Sequence, residues 1–249
     1  MIVFVTGASA GFGAAIARRF AADGDRIILA GRRAERIEAL AAELGDRALA
    51  LTLDVRDRAA IETAVAGLPA DFAEVDILVN NAGLALGLEP AHQASLDDWE
   101  QMVDTNIKGL MTMTRALLPG MVARKRGHVI NIGSMAGEWP YPGGNVYGAT
   151  KAFVRQFSLN LRADLLGTKV RVSNVEPGLC GGTEFSNVRF HGDDAKAGQV
   201  YANTTPLTAD DIADTVHWIA TRPPHVNVNT LSMMPVDQAF SPLSIHRDA

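Results

Sequence analysis

The chain has 249 residues, 47% of them hydrophobic, with a formal net charge of -5 and one cysteine, Cys180. That length and apolar content favour one alternating α/β domain over residues 1–249. The acidic balance removes the electrostatic case for nucleic acid or an anionic membrane as a partner, and a single cysteine excludes an intrachain disulfide. No apolar run approaches the ~20 residues that span a bilayer, and the first residues lack the charged flank of a signal peptide. A soluble, cytoplasmic protein is expected.

Ile2-Val3-Phe4-Val5 is a short continuous apolar run, the pattern of a strand covered on both faces. It leads into Thr6-Gly7-Ala8-Ser9-Ala10-Gly11-Phe12-Gly13 and then a helical pattern from Ala14 to Ala22, stopped by Gly24. Strand, glycine-rich turn and helix make the setting in which a backbone approaches a pyrophosphate and a helix N-terminus offers it free N–H groups. A tight turn with no ligand would use the same residues. Arg26 to Gly31 is a second buried strand, followed by Arg32-Arg33. This position, about 20 residues past the glycines, faces the adenosine ribose in a dinucleotide-binding unit. An acid there would suit a free 2′-hydroxyl; two guanidinium forks suit a 2′-phosphate, so NADP is expected rather than NAD.

Ala34 to Leu44 reads as a helix closed by Gly45, and Ala48 to Leu53 as a third strand followed by Asp54-Val55. Asp54 either caps the next helix, Ala59 to Gly67, or accepts from an adenine amino group. Asp76 to Val79 is strand four, and it delivers Asn80-Asn81-Ala82-Gly83 at its C-terminal end, where a crevice floor or a plain turn would equally use such residues. Ser95 with Asp98 three residues on has the form of a capping box. Asn106 lies inside a long apolar-periodic run from Trp99 to Met121, where an amide is usually a satisfied buried polar group. The basic run Arg124-Lys125-Arg126 marks a solvated turn.

Gly127 to Gly133 forms strand five and delivers Ser134 at its tip. A Gly/Pro/aromatic loop, Glu138 to Gly144, precedes Tyr147-Gly148-Ala149-Thr150-Lys151, which opens an amphipathic stretch. Tyr147 and Lys151 stand at i and i+4, on one helix face. An ammonium beside a phenol favours phenolate and lowers its pKa, which makes a proton donor and acceptor of Tyr147. Val154, Phe157, Leu161 and Leu165 continue the helix as a packing stripe, closed by Gly167. Val170 to Val175 is strand six, ended by Glu176-Pro177-Gly178. Leu179 to Pro206 has little helix or strand period, and a long irregular loop in such a domain is usually functional or mobile. Thr208 with Asp211 starts a helix over Ile212 to Thr221, and Asn229 to Met234 can form a seventh strand. No metal-ligand spacing is visible among the histidines and carboxylates, and Cys180 has no activating histidine near it in sequence.

The ordered set Thr6-Gly7-x-x-x-Gly11-x-Gly13, Asn80-Asn81-Ala82-Gly83, Asn106, Ser134, Tyr147-x-x-x-Lys151 and Pro177-Gly178 resembles the classical short-chain dehydrogenase/reductase family over essentially the whole length. The resemblance implies a Rossmann-type, doubly wound parallel sheet of about seven strands with helices on both faces, and a homotetramer. It implies that Asn106 kinks its helix and holds a water, that Ser134 and Tyr147 take the substrate oxygen, and that Lys151 binds the nicotinamide ribose. For NADP contacts it implies Gly7, Ala8, Ser9, Ala10, Gly11, Phe12, Gly13, Arg32, Arg33, Asp54, Val55, Asn80, Asn81, Ala82, Gly83, Tyr147, Lys151, Pro177, Gly178 and Thr183.

The stretches Asn80 to Gly87, Trp139-Pro140-Tyr141 and Gly181 to Phe190 resemble those members that act on small 3-hydroxy acids such as serine, allo-threonine and 3-hydroxypropionate. A carboxylated substrate needs a cation, and Arg189 is the candidate for a bidentate partner. A reductase of a 3-oxoacyl thioester and a dinucleotide-binding regulator without turnover are the alternatives.

Overall fold

A computed structural model describes residues 1–240; the last nine residues of the expected 1–249 domain lie outside the described residues. Seven strands form one parallel sheet: β1 (Ile2–Thr6), β2 (Arg26–Gly31), β3 (Ala48–Thr52), β4 (Ile77–Asn80), β5 (Gly127–Ile132), β6 (Val170–Pro177) and β7 (Thr230–Met233). Their spatial order is β3-β2-β1-β4-β5-β6-β7. Winding reverses between β1 and β4, which pair through Val3 with Ile77 and Val5 with Val79. A ligand crevice opens at the carboxyl ends of the strands at such a reversal.

The central strands are apolar without alternation because helices cover both faces. On one face α1 (Gly11–Ala22), α2 (Ala34–Leu44) and α9 (Ala209–Ala220) bury Ile16, Phe20, Ile37, Val216 and Ile219 against Val3, Val5, Leu29 and Val79. On the other, α3 (Arg58–Ala66), α5 (Leu110–Ala123) and α6 (Asn145–Asp164) bury Ile61, Met113, Leu117 and Leu161 against Phe4, Ile28, Leu78 and Val129.

A polar chain crosses the second layer. Asn80 and Asn131 are register partners on β4 and β5. The Asn80 amide donates to Asn131 Oδ1 and to Thr114 Oγ1, both at 2.9 Å, and Asn131 Nδ2 donates to Ser158 Oγ on α6 at 2.8 Å. All four residues are buried, so each bond offsets a desolvation cost.

Several expectations need correction. The run from Trp99 to Met121 is interrupted around Asn106, where the resemblance implies a kink: α4 (Leu96–Val103) gives way to a π-helical turn over Asp104–Gly109 before α5 begins. Only half of the expected capping box at Ser95 forms. Ser95 Oγ accepts from the Asp98 N–H at 3.3 Å, but the Asp98 carboxylate pairs instead with His191. Asp57, not Asp54, caps α3 by accepting from Ala60 N. The basic run 124–126 is the expected solvated turn, with Lys125 and Arg126 exposed, and it is anchored by Arg124 donating to Val75 O and Arg126 pairing with Asp76 at 2.8 Å. The segment expected to be irregular carries two short helices, α7 (Phe185–Arg189) and α8 (Asp194–Gln199). At Thr208 the capping box with Asp211 is complete.

Candidate active site

A cavity of about 360 Å³ lies along the carboxyl ends of the sheet, walled by the loops after β1, β2, β3, β4, β5 and β6. Its floor is built by two loops that interlock. Thr6 Oγ1 donates to Val79 O and accepts from the N–H groups of Asn81 and Ala82. Asn81 Nδ2 donates back to Thr6 O at 2.9 Å and Gly7 O at 3.2 Å. Gly7 has φ +66°, and a Cβ there would lie 2.9 Å from Ala82 Cα. At Gly13 a Cβ would collide with Gly7 O and sit 2.6 Å from Asn81 Nδ2, so only glycine lets α1 start this close to the turn.

The N-cap of α1 is Ala10, which has no side-chain cap, and the first turn holds no acid. The positive end of α1 is therefore left for an anion, and Ser9, Ala10, Gly11 and Phe12 line the cavity there. The group that the fold family implies, a dinucleotide, fits this donor set: uncapped N–H groups for a pyrophosphate and, farther along, two arginines for a further phosphate. Arg32 makes no hydrogen bond or ion pair among the described residues. Arg33 donates through Nε and Nη2 to Ser9 Oγ at 3.1 and 2.9 Å and through Nη1 to Glu184 at 2.7 Å. Asp54 lines the cavity too, and its carboxyl is held below the usual range by Arg56.

The other end of the cavity carries Ser134, Tyr147 and Lys151. Ser134 follows β5, and its Oγ accepts from Ala136 N at 3.1 Å, which orients the hydroxyl at the strand tip. Tyr147 and Lys151 are buried on the first turns of α6, with the ammonium 5.8 Å from the phenol ring centroid. The expected lowering of the phenol pKa does not hold in the protein by itself. Burial pushes Tyr147 up to about 12 against the hydroxyl of Ser134, which favours the ionised form. Burial also brings Lys151 down to about 8, and its Nζ is committed to Ile132 O at 2.8 Å. Desolvation is the largest cause of both shifts.

Not every expected residue reaches the cavity. Gly7, Val55, Ala82, Gly83, Pro177 and Thr183 do. Ala8, Gly13, Asn80, Asn106, Gly178 and Arg189 are not among the residues that line it. Asn106, in the π-helical turn, accepts from Leu84 N at 2.9 Å and donates to Leu84 O and Thr150 Oγ1, at 2.8 and 3.0 Å. Both its donors are thus taken, and a water could reach only the remaining Oδ1 lone pair.

Arg189 approaches the site from α7. Its guanidinium carbon lies 5.4 Å from the Tyr147 ring centroid, Nη2 donates to Tyr141 Oη, and Nε donates to Gly87 O at 3.3 Å. With those two arms engaged, Nη1 is left without a hydrogen bond among the described residues, and the guanidinium is not an open fork. Phe185, Val188 and Cys180 also wall this end, and Phe185 sets its ring edge-on to Tyr147 at 5.8 Å. The Cys180 thiol is pushed up to about 12 by burial, an inert state. Phe185 and Val188 share a helical face at i and i+3, a signal too short to read in a five-residue helix. Nothing in the sequence pairs Glu184 with arginines some 150 residues away.

The family model described as short chain dehydrogenase matches residues 1–193. The chain is 68% identical over 247 residues to the NADP-dependent 3-hydroxy acid dehydrogenase YdfG of Salmonella typhi, covering 99% of this chain and 100% of that one. It is 53% identical over 247 residues to the serine 3-dehydrogenase of Rhizobium radiobacter, covering 99% and 98%. A solved closed form of serine dehydrogenase complexed with NADP+ superposes with a TM-score of 0.99 at 64% identity, over 100% of both chains.

Proposed function

The chain belongs to the short-chain dehydrogenase family, and from that premise we propose that it is an NADP-dependent oxidoreductase of small 3-hydroxy acids. The observation that carries the reading is one cavity with arginines at one end and Ser134 beside the buried Tyr147 and Lys151 at the other. NADP, when bound, supplies the hydride acceptor for oxidation and the donor for reduction. The uncapped start of α1 holds its pyrophosphate, and Arg32, with Ser9 and Arg33, its 2′-phosphate. Gly7 to Gly13, Asp54, Val55, the Asn80 to Gly83 floor, Pro177, Gly178 and Thr183 form or support the rest of its cradle.

Tyr147 takes the substrate hydroxyl proton in oxidation and returns it in reduction. A phenol at about 12 is a poor base at neutral pH; the Ser134 hydroxyl and the Arg189 guanidinium both favour its phenolate. Ser134 donates to the substrate oxygen as charge develops there. Lys151 would hold the nicotinamide ribose, and Asn106 ties the loop at Leu84 to α6 beneath it. Arg189 Nη1 meets the substrate carboxylate. The relatives named for 3-hydroxy acids and serine support this substrate class. A cytoplasmic homotetramer completes the reading; half-exposed Met111 on α5 and Leu159 on α6 offer apolar surface for it to bury.

The test follows nicotinamide absorbance with NADP+ or NAD+ and L-serine, L-allo-threonine, 3-hydroxypropionate or a 3-hydroxyacyl thioester. Turnover of the small acids with NADP+ is expected. Activity on the thioester alone would move the protein to the acyl reductases, and NADPH binding without turnover would make it a regulator. In the same assay Arg189→Ala raises KM for carboxylated substrates about 10-fold or more, the size of a charge-assisted hydrogen bond, and leaves uncharged alcohols near wild type. Equal effects on both substrate types would remove Arg189 from the carboxylate role.

A further inference from the structure

The segment 183–189 crosses the cavity, and it is fastened at both ends by groups that come from different halves of the site. At its start Thr183 packs on the glycine turn, since a Cβ on Gly11 would lie 3.3 Å from Thr183 Cγ2. Next to it the Glu184 carboxylate is divided between two arginines. Oε2 accepts from Arg33 Nη1 and Oε1 from Arg36 Nη1, each at 2.7 Å. Arg33 follows β2 beside the proposed 2′-phosphate position, and Arg36 lies on α2 outside the cavity wall.

At its end Arg189 is bound to the substrate side. Gly87 N donates to Arg189 O at 2.9 Å, and the guanidinium donates to Gly87 O and Tyr141 Oη. Between the two fastenings runs α7, which places Phe185 against Tyr147. Five helical residues rise about 7.5 Å and behave as a short strut. Whatever holds Glu184 therefore fixes the height and rotation of Phe185 and Arg189 above the phenol.

We infer that Glu184 is a positioning residue, which clasps Arg33 and Arg36 and so locks segment 183–189 over bound cofactor with Arg189 set for the substrate. The inference rests on the proposed reading of the cavity as an NADP and 3-hydroxy acid site. A different role for Glu184 is conceivable on charge alone: a carboxylate beside the phosphate-binding arginines could compete with the 2′-phosphate. The geometry favours the clasp, because Arg32 has no hydrogen-bond or ion-pair partner among the described residues while Arg33 keeps Nε and Nη2 on Ser9 and offers Glu184 only Nη1. Competition predicts the opposite sign, so the two are separable.

The clasp also carries its own signature. All three side chains are half-exposed, between 43% and 51%, so added salt weakens their attraction. The experiment measures NADPH release by stopped-flow fluorescence, and KM for 3-hydroxypropionate, in wild type, Glu184→Gln, Glu184→Asp, Arg36→Gln and the double variant. Glu184→Gln should speed NADPH release and raise KM about fivefold, as two half-exposed ion pairs allow. Arg36→Gln should give part of that effect and add nothing on top of Glu184→Gln, and Glu184→Asp should recover part of it. Raising salt from 0.05 to about 0.5 M, which shortens screening lengths several-fold, should speed release in wild type more than in Glu184→Gln. Slower release or tighter NADPH binding in Glu184→Gln would overturn the clasp in favour of competition. Unchanged release, or additive effects of the two variants, would overturn it outright. If wild type bound no NADPH, the parent reading would fail before the clasp was tested.

Discussion

Lys151→Met separates what the ammonium does for catalysis from what it costs the fold. Burial lowers Lys151 from 10.5 to about 8, so between those values the unfolded chain holds a proton that the folded chain has released. Unfolding then takes up a proton, and the folded state gains stability as pH rises through that window. The full difference is worth up to about 3 kcal/mol, at 1.36 kcal/mol per tenfold step in proton affinity. Below pH 8 both states are protonated, and the folded protein carries a buried charge that donates to Ile132 O.

Two other groups act against this trend. Tyr147, raised from 10.0 to about 12, and Cys180, raised from 9.0 to about 12, make folding less favourable as pH climbs past 9 to 10. The quantity to read is therefore the difference between wild type and Lys151→Met in cofactor-free denaturation, at fixed protomer concentration, from pH 7 to 10.5. That difference should move toward wild type by one to three kcal/mol, in order of magnitude, between pH 8 and 10. The variant should be at least as stable as wild type at pH 7 and catalytically dead. A flat difference curve would refute the claim that burial dominates the lysine's proton affinity.

Tyr147→Phe should lower kcat by about 10²–10⁴ while NADPH titration gives nearly the wild-type affinity; surviving turnover would remove the phenol from the proton transfer. Arg32→Ala should weaken NADPH binding by about 10-fold or more and leave NADH binding unchanged, and a parallel loss of both would place the 2′-phosphate elsewhere. Gly13→Ala forces a Cβ into Gly7 O and toward Asn81 Nδ2, so urea unfolding should report a loss of about 1–3 kcal/mol and NADPH binding should fall with it. Wild-type stability in that variant would mean that the turn after β1 yields more readily than its interlock with Asn81 implies.

Much of this architecture is legible from residue order because each strand is an unbroken apolar run that ends in a chemically marked loop. Arg26 to Gly31 and Ala34 to Leu44 fall at the same limits in sequence and structure, where a charged or glycine residue stops the pattern on each side. The break at Asn106 is legible only through the family resemblance, and nothing in the residue spacing marks its π-helical form at Asp104–Gly109, in which Asn106 accepts from Leu84 N. The short helices of segment 179–206 are likewise hidden, because five or six residues hold too few repeats to reveal a period. Tyr147 and Lys151 are found by spacing, but the sign of the phenol's pKa is not. That sign depends on burial by Phe185 and its neighbours, which are remote in sequence. Glu184 is the clearest omission, for its meaning lies wholly in a tertiary contact.

The amide and hydroxyl chain through Thr114, Asn80, Asn131 and Ser158 acts as a key cut for one alignment only. Sliding β5 by one residue past β4 would turn Asn131 to the opposite layer, among the side chains of α1 and α9, and leave Ser158 and Asn80 without their partner. Ser158 sits two turns beyond Lys151 on the same helix, so the slip would also unseat the lysine and the phenol. A chain assembled in the wrong alignment is therefore inert rather than altered in specificity.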